Sequence, residues 1–159
     1  MTTRELFIKT LMAEQKATIN VLKAVNEDKW DYRPDPVTKT GKDIATLIGY
    51  EPNSIANLIR DKKFGWHQPE DPKSVNELIE MCEKGFVDTK KAAEEISDED
   101  WENVEIVVPM PKGEWKDKVG MMAFGFLLDM IHHRGQLSVY LRAMGGKVPS
   151  IYGPSGDSQ

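Results

Sequence analysis

A single cysteine, three histidines and no surplus of positive charge set the first limits on this 159-residue chain. Cys82, standing alone, excludes an internal disulfide and suits a reducing cytosol. With 21 basic against 26 acidic residues the formal charge is −5, and no run of Lys and Arg with interleaved aromatics breaks that balance. A nucleic-acid surface, which needs concentrated positive charge, is therefore not expected. No stretch reaches the roughly 18 to 20 apolar residues of a membrane span. The opening MTTRELFIKTLMAEQ is interrupted by Arg4, Glu5 and Lys9 and does not read as a signal peptide. GxGxxG, P-loop, GxSxG and HExxH motifs are missing, as are internal repeats, so phosphate cradling and activated-serine chemistry have no candidate. The expectation is one cytoplasmic domain over residues 1–159, with no nucleic-acid or membrane partner.

What is present has the period of a helix. Thr2 and Glu5 are spaced as a capping box, and Ile8, Leu11, Met12, Ile19 and Leu22 then recur every three to four residues. This predicts a first helix over 3–26 with Gln15 on its apolar stripe. In WDYRPDPVTKTG, Pro34 and Pro36 bar a helix and leave Trp30 and Tyr32 to close one end of a bundle. Thr40 and Asp43 start a second helix that turns Ile44, Leu47, Ile48, Glu51, Ile55 and Leu58 inward. Pro52 removes the amide that would bond Ile48, which predicts a kink beside Glu51 and an unpaired carbonyl close by. The polar loop Phe64 to Pro72 carries His67, expected as solvated surface. Ser74 and Glu77 cap a third helix that runs to about Ile96, with Val75, Leu78, Ile79, Cys82, Phe86, Thr89 and Ala93 on its seam. A thiol there behaves as a small, inert hydrophobe. After an acidic turn from Asp98 to Trp101, the alternation of Val104, Ile106 and Val108 predicts an extended segment that Pro109 and Pro111 cut short.

The longest regular stretch runs from Lys118 to Gly145. Val119, Met122, Phe126, Met130, Leu137, Tyr140, Leu141 and Met144 form its stripe, with Asp117 placed to cap it and Gly145 and Gly146 to end it. Asp129 and His133 interrupt the stripe at i and i+4, so carboxylate and imidazole stack on one inward face, with His132 on the flank. Arg134 is near enough to pair with Asp129 or to cap a neighbouring loop. The tail is expected to pack Val148, Ile151 and Tyr152 on the helices and to fray beyond Gly153. Four long amphipathic segments predict an all-α, four-helix bundle with a short extended segment before the last helix and an irregular C-terminal tail. In such a bundle Glu51 arrives opposite Asp129 and His133. Two carboxylates and one imidazole on facing helices suit a divalent ion such as Fe, Mn, Ni or Zn, with positions left open for water or substrate. The same Asp/His pair also reads as a partnered core group without chemistry. No residue stands out as a catalytic nucleophile.

The stretch HHRGQLSVYLRAMGGKVPSIYG resembles the carboxy-terminal signature of the DinB-like, or YfiT-like, metalloenzyme superfamily: a His followed by Arg-Gly-Gln, a Tyr-Leu-Arg-x-x-Gly run, then Pro and Tyr-Gly. Helix lengths, the connection after the first helix and the acidic turn before the last extend the resemblance over essentially the whole chain. It implies a helical bundle, often homodimeric, and kinship with thiol-dependent transferases and isomerases that use mycothiol, bacillithiol or glutathione. It does not imply DNA binding. It also implies a divalent metal held by three histidines, one on the second helix and an i, i+4 pair on the last. His133 matches the second of that pair, whereas the first falls on Asp129 and the second-helix histidine on Leu47. Glu51, one turn beyond Leu47, is placed to reach the same space, which gives His133, Asp129 and Glu51 as the expected set. Three functions follow: a metal-dependent thiol transferase, a small-molecule binder with a degenerate metal site, or a structural dimer that uses apolar surface beside the last helix.

Overall fold

The computed structural model describes residues 1–65 and 70–158, so His67 lies outside the described residues. Its elements are α1 (Thr3–Lys23), a single 3-10 turn (Glu27–Lys29), α2 (Gly41–Asp61), α3 (Val75–Glu95), α4 (Asp98–Asn103), β1 (Glu105–Met110), β2 (Gly113–Lys118) and α5 (Val119–Ala143). α2 packs on α3 and α5, and α1 packs on the same two helices, which places the apolar core between the four long helices. No helix among the described residues is long and apolar enough to cross a membrane.

Capping fixes the starts of the first three long helices. Thr2 and Thr40 each accept from the backbone amide three residues on and receive a carboxylate back in full capping boxes, and Ser74 accepts from Glu77. Of the expected stripe on α1, Leu11, Ile19 and Leu22 are buried, Ile8 and Gln15 are part-buried and Met12 is exposed, and the core face also takes in Phe7, Glu14, Thr18 and Val21. Two polar residues, Glu14 and Thr18, sit on that face and hide it from a reading of apolar period alone.

The acidic turn is a short helix, α4, capped by Ser97, and it buries Trp101 against Phe7 at a ring separation of 5.2 Å. The expected single extended segment is half of an antiparallel hairpin in which Val108 faces Trp115 and Met110 faces Gly113. Pro109 is accommodated because a two-stranded ribbon has only edges, where a missing amide costs no ladder bond. Gly113 closes the turn at φ +114, a left-handed conformation that favours glycine. Asp117 belongs to β2 and does not cap α5; the Val119 amide is satisfied instead by the Val104 carbonyl at 2.9 Å. α5 ends as expected, with Gly145 at φ +83 and the Gly146 amide bonded to the Leu141 carbonyl. The tail does not fray at Gly153: Asp157 accepts from Arg142 at 3.0 Å and from the Val148 amide at 2.9 Å.

Pro52 leaves α2 unbroken over Gly41–Asp61. The carbonyl of Ile48, which loses its helical partner there, accepts from the Cys82 thiol at 3.7 Å. α3 approaches the proline closely at Gly85, where a Cβ would stand 2.8 Å from that of Pro52. Thr89 donates to the Pro52 carbonyl, so α3 carries the repair of the irregularity beside Glu51. Burial pushes the Cys82 thiol up to about 12 and keeps it a neutral donor. Cys82→Ala should cost about 1–3 kcal/mol in urea unfolding, from the lost contacts and the orphaned carbonyl. In the native protein at pH 8 the thiol should resist a chromogenic disulfide reagent. Labelling at the rate of a free thiol would show that Cys82 is not held in this way.

Candidate functional site

Asp129 and His133 stand one turn apart on α5, with Asp129 Oδ2 3.3 Å from His133 Nε2. The other ring nitrogen of His133, Nδ1, lies 3.0 Å from Gln136 Oε1, and the amide nitrogen of Gln136 lies 2.9 Å from His132 Nε2. An amide oxygen accepts only, so Nδ1 of His133 donates to Gln136, while Nε2 faces the Asp129 carboxylate. The His133 pKa is raised first by its hydrogen bond to Asp129, then by Gln136 and the neighbouring carboxylates, against a lowering by burial. The bond to His133 likewise holds the Asp129 carboxyl below its ordinary range. Both shifts favour the charged forms of the pair, and His132 stands on the flank as expected.

Glu51 faces this pair from α2. It is 9% exposed, and no hydrogen bond reaches its carboxyl among the described residues. Burial first and the Asp129 charge second raise its pKa to about 8, with His133 pulling the other way. At pH 7 Glu51 is therefore mostly a neutral acid, set into the helix where Pro52 prevents regular bonding. Leu47, one turn earlier, is part-buried and lines a groove with Lys39, Lys42, Glu70 and Asp71.

Arg134 does not pair with Asp129. It is 1% exposed and reaches across to α1, where Nη1 donates to Glu14 Oε2 at 2.6 Å and to Thr18 Oγ1 at 3.2 Å. Nη2 donates to the Tyr152 hydroxyl at 2.6 Å, and that hydroxyl donates to Glu14 Oε2 at 2.8 Å. Glu14 escaped a reading in which inward positions are apolar. The one signal was its place three residues after Leu11 and four before Thr18, on the stripe that starts at Phe7.

The sequence profile of the DinB family matches residues 1–158. The chain belongs to the DinB family. Among solved structures it is similar to a DinB-like protein (YjoA) from Bacillus subtilis, at 16% identity and a TM-score of 0.68, covering 94% of this chain and 99% of that one. It is also similar to a DinB-like protein from Bacillus cereus ATCC 10987, at 18% identity and a TM-score of 0.70, covering 93% and 97%. At these identities the likeness is one of DinB-like fold. No curated protein matches the chain.

The three-histidine metal centre expected from the DinB resemblance does not fit the residues present. Leu47 offers no donor atom, and both ring nitrogens of His133 face partners within the chain, Asp129 and Gln136. Among the described residues no three His, Cys, Asp or Glu side chains converge as a metal-ligating group.

Two outcomes test this geometry. Glu51 carries a folded pKa near 8 against an ordinary glutamate value in the unfolded chain, so the folded state binds more protons between about pH 4.5 and 8. Stability is then full at the acid end of that window and falls as pH rises through it. Glu51→Gln should abolish this fall, gaining on the order of 3 kcal/mol on the wild type between pH 5 and pH 8.5; parallel curves in urea unfolding would refute the assignment. Arg134→Ala strands the buried Glu14 carboxylate and should cost about 3–5 kcal/mol, against about 1 kcal/mol for Tyr152→Phe, as measured by thermal and chemical unfolding.

Proposed function

We propose that this DinB-family chain is a cytoplasmic small-molecule-binding protein with a four-helix-bundle core. Its ligand site is the junction of α2 and α5, where Glu51, Asp129 and His133 stand in the place of a metal centre and turn over no substrate. The observation that carries the reading is Glu51: a carboxyl on a residue only 9% exposed, with no protein hydrogen bond among the described residues and its oxygens still open to a partner from solvent, faces an Asp/His pair, and burial and the Asp129 charge raise its pKa. Groups shifted in this way concentrate at functional sites. The alternative is a divalent-metal site (Ni, Zn, Mn or Fe) on His133, Asp129 and Glu51 serving a thiol transferase. It would require His133 and Glu51 both to lose their protons, and binding would then tighten steeply with pH.

Metal content by mass spectrometry on untagged protein, with Ni²⁺, Zn²⁺ and Mn²⁺ titrations, separates the two. The expected result is no stoichiometric metal and no micromolar uptake, in wild type and His133→Ala alike. Near-stoichiometric metal that disappears in His133→Ala would overturn the reading and favour the thiol transferase.

A homodimer is a second, compatible reading. Met121, Leu128 and Val139 lie exposed on the outer side of α5, a helix apolar nearly all round. Sedimentation equilibrium should show a dimer that Leu128→Glu weakens at least tenfold; a monomer at all concentrations would exclude it.

A further inference from the structure

Beside the α2–α5 junction, between the β1–β2 hairpin and α5, lies a cavity of about 480 Å³, within the range of small-molecule sites. Val108, Met110, Trp115, Phe126 and Leu128 make its walls apolar, Asp129 and His132 are its polar side chains, and no Lys or Arg lines it. The Trp115 indole lies close on α5 because residue 125 is glycine; a Cβ there would stand 2.8 Å from Trp115 Cζ2. Trp115 and Phe126 have ring centres 5.7 Å apart, and Phe126 stacks on Phe64 at 5.4 Å, so an aromatic wall continues from the cavity towards α2. Asp129 joins the two spaces. Its Oδ2 meets His133 at 3.3 Å while its side chain stays 50% exposed, and no hydrogen bond reaches Oδ1 among the described residues.

We propose that the cavity binds an apolar organic ammonium ion, its body against Trp115, Phe126 and Met110 and its charged head beside the free oxygen of Asp129. This rests on the reading that the α2–α5 junction takes a small molecule, and it names that molecule's chemistry. A carboxylate strengthens the hydrogen bond it accepts from an ammonium group, and the two ring faces attract the same charge. An anion of equal size meets Asp129 with no Lys or Arg to offset it, the nearer imidazole, His133, being already engaged with that carboxylate, and a neutral analogue gains only the apolar contact.

The probes are 2-phenylethylammonium, neutral 2-phenylethanol and anionic phenylacetate, each titrated at pH 7 into the full chain. The readouts are the Trp115 indole resonance, assigned with Trp115→Phe, and the ring resonances of His133. The ammonium ion should shift the Trp115 signal and bind at least tenfold more tightly than the alcohol. Asp129→Asn should bring it down to the alcohol's affinity and leave the alcohol unchanged. Gly125→Ala, whose methyl group pushes the indole into the cavity, should weaken both. Equal binding of the alcohol or the anion, or an ammonium affinity indifferent to Asp129→Asn, overturns the inference and leaves the junction reading standing. Silence of both resonances to all three probes up to their solubility overturns both.

Discussion

The buried pair of Arg134 and Glu14 sets the register on which the rest of the molecule depends. Arg134 is held on α5 and Glu14 on α1, with Thr18 and the Tyr152 hydroxyl completing the bonds of a guanidinium removed from water. A buried pair of this kind adds little net stability against an apolar replacement, but it is costly to break from one side. It therefore acts mainly on arrangement. Successive helical residues diverge by about 100°, so once Arg134 points at α1 its neighbour His133 is turned away from α1. That turn brings it towards Glu51. The same hydroxyl that completes the arginine's bonding pins the C-terminal tail, and Asp157 then ties that tail to Arg142.

Against that frame α2 and α5 meet in an arrangement that carries strain. Pro52 deprives Ile48 of a partner, the Cys82 thiol and the close approach of α3 at Gly85 compensate, and Glu51 is left buried beside a carboxylate. Glu51 has no partner within the chain among the described residues, and burial beside Asp129 keeps it largely neutral. The Asp129–His133 pair, tied through Gln136 to His132, leaves one face of Asp129 to the cavity under the hairpin. Charge, apolar wall and neutral acid thus stand on one side of the molecule.

Much of the helical plan was legible because capping residues and apolar period agree: Thr2, Thr40 and Ser74 mark three starts, and Gly145 marks the last end. The juxtaposition of Asp129 with His133 followed from i, i+4 spacing alone. Other features were hidden by tertiary contacts. Glu14 faces inward only because Arg134, 120 residues away, is there to meet it. The second strand was obscured by GEWKDK, whose polar residues show no alternation strong enough to announce pairing, and it forms because Val108 and Trp115 share a face over α5. Asp117 looked like a cap, yet the amide it was expected to serve is taken by the Val104 carbonyl across the hairpin's base.

The central claim is that burial beside Asp129 keeps Glu51 protonated at neutral pH. The direct measurement is the ¹³C chemical shift of the Glu51 side-chain carboxyl, followed from pH 4 to 10 in wild type and in Asp129→Asn. The account predicts a midpoint near 8 in the wild type and a lower one in the variant. A wild-type midpoint in the ordinary glutamate range, unmoved by Asp129→Asn, would contradict it.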